Sequence, residues 1–290
     1  MEQQKLRIAF FGTPLIAYTV LDELKDAGII PSLIVTNPDA QVGRKHIETP
    51  PPAKVWAQEN SVTVFQPESL KDKSNLDEIT SKSWDLFIVV AYGKMMPSWL
   101  IDLPKYKTLN AHPSLLPKLR GASPIRSALL SDLNAVGVTI MLLDEKMDHG
   151  PILDQLPTTL THPIPGTELD LNLAHQCGLM LAHVIPKWIA GEITPIQQDH
   201  ENATFCGKIT KEMGKIEIDP YNLPEGEVAE KIVRKACAFD GWPGLFFFYN
   251  EKRIKIQYAR FVGVRDNKLY ITHVIPEGKN ETEFTTFFRK

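Results

Sequence analysis

An asparagine and a histidine two residues apart close a short predicted strand, Thr108–His112. In an extended strand, alternate side chains share a face, so Asn110 and His112 point the same way. Asn supplies an N–H donor, and His supplies a donor together with a proton that titrates near neutrality. Such a pair can hold an oxygen that gains negative charge during acyl-type transfer. The plainer alternative is a polar pair capping a strand end. Asp148 lies some thirty residues on, in Asp144-Glu-Lys-Met-Asp148-His-Gly150. If the strands before the two motifs are neighbours, its carboxylate reaches His112 and can accept a proton from an attacking group. Asp144 is the rival carboxylate, and Asp before Gly is also ordinary turn chemistry. Between the motifs, Pro113-Ser114-Leu115-Leu116-Pro117 and Arg120-Gly121 fix an irregular loop that would shape a pocket. Arg120 could pair with an anion there or simply be solvated. At the other end of the chain, Gly12-Thr13-Pro14 follows an apolar run and opens a helix. It lacks the GxGxxG spacing of a dinucleotide fingerprint, which favours a tight turn over nucleotide binding.

The elements that must position these groups alternate strand and helix. Leu6–Phe11, Ser32–Thr36, Val62–Phe65, Asp85–Tyr92, Thr108–His112 and Val136–Leu142 read as strands. The helices are Thr13 (as N-cap) to Ala27, part of Pro50–Asn60, and Ser123–Leu130, with a helical turn at Pro97–Leu100. Ile152–Leu160 adds an antiparallel strand, and Gly166–Ile189 is a long helix. This rhythm predicts an α/β fold with a Rossmann-like, mostly parallel sheet and helices on both faces. Ligand chemistry is then expected beyond the carboxyl ends of the strands. The pattern changes after residue 194. Pro195–Ala203 reads as a polar linker, Val228–Ala238 as an amphipathic helix, and Leu245–Tyr249, Arg253–Phe261 and Lys268–Val274 as strands. Turns are expected at Asn250-Glu251 and Asp266-Asn267. The expected domains are 1–194, a linker 195–207, and a small β-rich, OB-like domain 208–290.

Composition is that of an ordinary globular chain: 290 residues, 43% hydrophobic, 23% charged, net charge −3. No apolar run approaches the ~20 residues of a membrane span. The start, Met-Glu-Gln-Gln-Lys, does not read as a secretory signal. Three scattered cysteines form neither a disulfide framework nor a zinc pattern, so a reducing cytoplasm and no metal are expected. A monomer is expected too, since no exposed apolar stripe is visible. From Lys208 onward, 15 Lys and Arg face 12 Asp and Glu, which leaves the basic balance in the tail and −6 in the rest. That asymmetry is compatible with a polyanion handled by the C-terminal part.

NAHPSLLPKLRGASPI (110–125) followed by MDHG (147–150) resembles the 10-formyltetrahydrofolate-dependent formyltransferase family. FFGTP (10–14), DLFIVVAYGKMMP (85–97), ATFCGKITKEMGKI (203–216) and FDGWPG (239–244) are similar to the branch that formylates methionyl-tRNA. The resemblance covers most of Arg7–Gly244, and the C-terminal domain is shorter than that branch's usual β-barrel. It implies that 10-formyltetrahydrofolate gives its formyl group to the α-amine of methionyl-initiator tRNA, for translation initiation, without a metal. By the same resemblance Asn110, His112 and Asp148 are catalytic. The folate is implied to lie against Val90, Ala91, Tyr92, Gly93 and Met95, against Ser114, Leu115, Leu116 and Pro117, and beside Leu143. The polar segment Asn37–Ala53 is too long for a simple strand–helix connection, usually about 2–6 residues. In the tRNA branch it enters the acceptor stem, which places Arg44 and Lys45 on tRNA phosphates or base edges. A sugar-nucleotide N-formyltransferase is the alternative within the family. A formyltetrahydrofolate hydrolase and an RNA-binding module without activity are more distant readings.

Overall fold

The computed structural model describes residues 6–42 and 46–289. In chain order its first elements are β1 (Ile8–Gly12), α1 (Leu15–Asp26), β2 (Leu33–Val35), β3 (Ala40–Val42), β4 (Ile47–Thr49), α2 (Pro52–Glu59), β5 (Thr63–Phe65), α3 (Asp77–Thr80), β6 (Leu86–Val90) and α4 (Ser98–Ile101). They are followed by β7 (Thr108–His112), β8 (Arg120–Gly121), α5 (Pro124–Ser131), β9 (Gly137–Leu142), β10 (Ile152–Pro157) and α6 (Gly166–Ile189). The rest is β11 (Phe205–Cys206), α7 (Gly226–Ala238), β12 (Leu245–Tyr249), β13 (Lys252–Ile256), β14 (Val262–Arg265), β15 (Lys268–Ile271), β16 (His273–Pro276), β17 (Thr282–Glu283) and α8 (Phe284–Phe287).

Two compact units emerge, and they interleave in sequence. One holds the chain up to Arg120, Gly137–Pro157 and Leu171–Thr204; the other holds Gly121–Val136, Thr158–Asp170 and the chain from Phe205 onward. These units do not follow the boundaries at 194 and 208 expected from sequence.

The first unit is built on a seven-stranded sheet in the order β10-β9-β7-β6-β1-β2-β5. Strands β5, β2, β1, β6 and β7 run parallel; β9 is antiparallel to β7, and β10 to β9. This is the predicted α/β sheet with an antiparallel edge. All five residues of β6 are buried, as are those of β1 and β7. Strands covered on both faces need apolar side chains throughout, and Leu86-Phe-Ile-Val-Val90 supplies them. Each large side chain removed from water contributes about 1.5–3 kcal/mol. Phe11, Phe87 and Tyr92 pack edge to face at one end of this core.

Several expectations shift. Thr13 does not cap α1: the cap position is Pro14, with no side-chain cap bond. The Thr13 hydroxyl is used between loops, donating to the Tyr92 carbonyl (3.4 Å) and accepting from the Asn37 amide (3.4 Å). The segment Asn37–Ala53, read as a loop, contains an antiparallel hairpin of β3 with β4. Three-residue strands are too short to show a period. The polar run read as a linker is anchored to the sheet, where Ile196 pairs with Ile152 and Gln198 is buried.

The second unit carries two small antiparallel sheets, β12-β13-β16-β17 and β14-β15. Both expected turns are hairpin turns with two left-handed residues, Asn250 and Glu251 (φ 47° and 63°) and Asp266 and Asn267 (φ 50° and 63°). The run Lys268–Val274 divides at Thr272, because β15 pairs with β14 while β16 pairs with β13 and β17. The run Arg253–Phe261 likewise ends early, at Ile256, before a helical turn at Ala259–Phe261. Helix α7 buries Ala229, Ile232, Ala236 and Cys237 and packs on α5 and β14.

Candidate active site

β7 lies between β6 and β9, with Asn110 opposite Met141 and His112 opposite Thr139. The alternation expected from sequence therefore holds. Asn110 is 8% and His112 5% exposed at the carboxyl end of the parallel strands. The chain leaves β7 through the proline loop, and the loop binds itself. Ser114 Oγ donates to the Lys118 carbonyl (2.7 Å), Thr139 Oγ1 to the Ser114 carbonyl (2.6 Å), and Gln155 Nε2 to the Leu116 carbonyl (2.8 Å). The loop ends at Leu119 in the left-handed region (φ 58°), which aims its carbonyl at His112 Nε2, 3.0 Å away. A carbonyl only accepts, so this ring nitrogen carries a proton. Nδ1 is the nitrogen left to face substrate or a neighbouring charge.

That charge is Asp148. Its Oδ1 is 3.6 Å from His112 Nδ1, and its side chain is only 14% exposed. The Asp-x-Gly spacing has a steric cause. A Cβ on Gly150 would overlap the Leu142 carbonyl oxygen, so only glycine lets the chain fold back against the end of β9. Asp148 takes the left-handed conformation (φ 49°) two residues earlier, at the bend. The rival Asp144 is committed elsewhere, accepting from His149 Nδ1 (2.6 Å) and the Lys146 amide (2.9 Å).

Arg120 is a correction to the sequence reading. It is neither solvated nor open to an anion, being 3% exposed. Its Nε and Nη2 donate to Gln198 Oε1 (3.1 and 2.6 Å), and Nη2 also donates to His200 Nδ1 (2.9 Å). Burial lowers its pKa from the ordinary value, against the opposing fields of Asp148 and Asp144. The His200 ring stacks on His149 with centroids 4.0 Å apart and planes 4° apart. Partial desolvation, then the charges of His149, Arg120 and Lys146, hold the His200 pKa below its ordinary value. Gln198, His149 and His200 went unnoticed in the sequence; a polar run without periodicity carries no signal for a buried amide.

The other expected contacts divide by exposure. After Val90, Ala91 is left-handed (φ 48°), and Ala91, Gly93 and Met95 are exposed. The side chains of Val90, Tyr92, Ser114 and Leu116 are buried, while Leu115, Pro117 and Leu143 are half-buried. Leu143 packs against the cores on both sides of it. Arg44 and Lys45 lie outside the described residues. At Gly12 the tight-turn reading fits: a Cβ there would sit 2.7 Å from the Ala17 Cβ and 2.9 Å from the Val90 carbonyl.

The chain is similar to known formyltransferases over most of its length. The methionyl-tRNA formyltransferase of Halalkalibacterium halodurans is 37% identical over 257 residues, 89% of this chain and 79% of that protein. Among solved structures, a 4-N formyltransferase from Francisella tularensis superposes with a TM-score of 0.65 at 18% identity, covering 93% of this chain and 97% of its own. HypX from Aquifex aeolicus in complex with tetrahydrofolic acid also gives 0.65, at 15% identity, covering 99% of this chain and 47% of its own. At these identities the two structures speak to the fold alone. Residues 6–176, which hold β7, the proline loop and Asp148, match the formyl transferase family, and the chain belongs to it.

Proposed function

We propose that the protein transfers the formyl group of 10-formyltetrahydrofolate to the α-amine of methionyl-initiator tRNA, with Asn110, His112 and Asp148 as catalytic residues. The observation that carries the chemistry is the approach of Asp148 to His112 Nδ1 at 3.6 Å, with Nε2 already occupied. The identity of the acceptor is supported by the name and 37% identity of the Halalkalibacterium halodurans relative. The tetrahydrofolic acid named with Aquifex aeolicus HypX supports a folate donor.

In the proposed reaction the amine lone pair attacks the formyl carbon, and the carbonyl π pair moves to oxygen. The Asn110 amide and, in its imidazolium form, the Nδ1–H of His112 hold the resulting oxyanion. The separation of 3.6 Å is an ion-pair distance rather than a direct hydrogen bond, so the attacking amine or a water can bridge the two groups from the side. Asp148 accepts the proton released by the attacking amine, and it is returned to N10 as the carbon–nitrogen bond to the folate breaks. The exposed Ala91–Met95 loop, with the half-buried Leu115, Pro117 and Leu143, forms the folate wall. Residues 208–290 and, from the segment Asn37–Ala53, Arg44 and Lys45 contact tRNA.

A transfer assay with labelled 10-formyltetrahydrofolate, offering methionyl-tRNA and amino-sugar nucleotides side by side, tests this reading. Label on methionyl-tRNA is the expected result. Label only on the sugar would replace the acceptor and leave the site chemistry in place. Arg44→Ala with Lys45→Ala is expected to raise KM for tRNA, flatten its dependence on salt, and leave the KM for folate unchanged.

A further inference from the structure

The two ends of the proposed catalytic pair hang from one buried amide. His112 Nε2 is held by the Leu119 carbonyl at 3.0 Å. The next residue, Arg120, gives two N–H bonds to Gln198 Oε1, at 3.1 and 2.6 Å. Gln198 Nε2 gives one bond to the Asp148 carbonyl (3.0 Å) and one to the Gly150 carbonyl (2.7 Å). Asp148 then returns to His112 Nδ1, which closes a ring. The residues that close it are inaccessible: Gln198 is 5% and Arg120 3% exposed.

Only an amide of this length meets all four demands, because it offers two lone pairs at one end and two N–H groups at the other. A carboxylate would keep Arg120 but set an oxygen against two carbonyls. Leu119 and Asp148 are also both left-handed. Non-glycine residues stay in that region only where their surroundings hold them there. We propose that Gln198 is a positioning residue for formyl transfer. Through Arg120 it sets the Leu119 carbonyl behind His112, and through the carbonyls of Asp148 and Gly150 it sets the Asp148 carboxylate in front. The inference rests on the reading of His112 and Asp148 given above.

The test compares Gln198→Leu, Gln198→Asn and Gln198→Glu with His112→Ala. Asp170→Asn, which breaks the remote pair of Arg126 with Asp170, serves as a control for lost stability. For every folded Gln198 variant, kcat is expected to fall about 30- to 100-fold, the scale of a 1 Å misplacement. KM for both substrates is expected to stay within about threefold, because ground-state binding is untouched. Amide exchange rises in residues 113–120 and 143–151 and little elsewhere. A folded Gln198 variant with ordinary kcat beside an inactive His112→Ala overturns the proposal. So does a rise in KM alone, or a loss that simply follows melting temperature as in Asp170→Asn. An active His112→Ala would instead remove the site reading, and this inference with it.

Discussion

Two places at the carboxyl end of the same sheet are built from similar parts and do opposite things. Between β1 and β6, where the strand order reverses and α/β folds commonly bind ligands, hydrogen bonds lace the loops to one another. Thr13 bonds the Tyr92 carbonyl, Asn37 Nδ2 donates to that carbonyl (3.1 Å), and Gly12 lets the first strand's end approach Val90. At β7 and β9 the polar groups are equally buried, but His112 Nδ1 and Asp148 stand 3.6 Å apart without closing on each other. Hydrogen bonds that satisfy one another make a joint. Bonds that hold two groups just short of contact make a place for a third.

The largest effect should come from the open pair. His112→Ala is expected to lower kcat about 10³-fold and Asn110→Ala about 10²- to 10³-fold, the range of a lost oxyanion donor. Steady-state rates checked against unchanged melting temperatures would establish both. If either keeps its rate, the contrast with the laced loops collapses.

Next comes one change made at both places. Gly150→Ala and Gly12→Ala each force a methyl into occupied space, and overpacking of this kind costs about 1–3 kcal/mol. Denaturant unfolding measures that loss. The two should part in activity: Gly150→Ala displaces Asp148 and lowers kcat, whereas Gly12→Ala leaves the kcat of its folded fraction intact. Thr13→Val removes a hydroxyl that links loops, and about 1 kcal/mol of stability with unchanged kinetics is expected.

The smallest effect concerns pH. The His200 pKa is lowered in the folded state, so the unfolded chain binds its proton more readily. The contribution is intact above about pH 6.5, the unfolded value, and is lost as pH falls through the folded one. Melting temperature should decline toward pH 5 more steeply in the parent than in His200→Asn.

Much of the sheet was legible because continuous apolar runs of about five residues read as strands covered on both faces, as β1 and β6 did. The shared face of Asn110 and His112 followed from a period of two. Asp148 was legible through its distance from Gly150, although the steric reason for that glycine needed the fold. The hairpin of β3 with β4 and the burial of Arg120 were not legible. The hairpin is too short to have a period, and Arg120 looks like any surface cation until its partner is known. That partner, Gln198, sits in a polar stretch whose composition describes a linker.

The distance in sequence between the parts of the site orders events during synthesis. Leu119 donates its amide to Thr204 Oγ1, 85 residues later, and Arg120 reaches Gln198 78 residues later. A nascent chain that has just completed β10 holds the histidine and the glycine turn, but not the residues that fasten the loops between them. Chains stalled on the ribosome before and after residue 204 emerges should therefore both show the parallel sheet, formed as synthesis proceeds from the N-terminus. Only the longer one should show the His112 loop protected from protease.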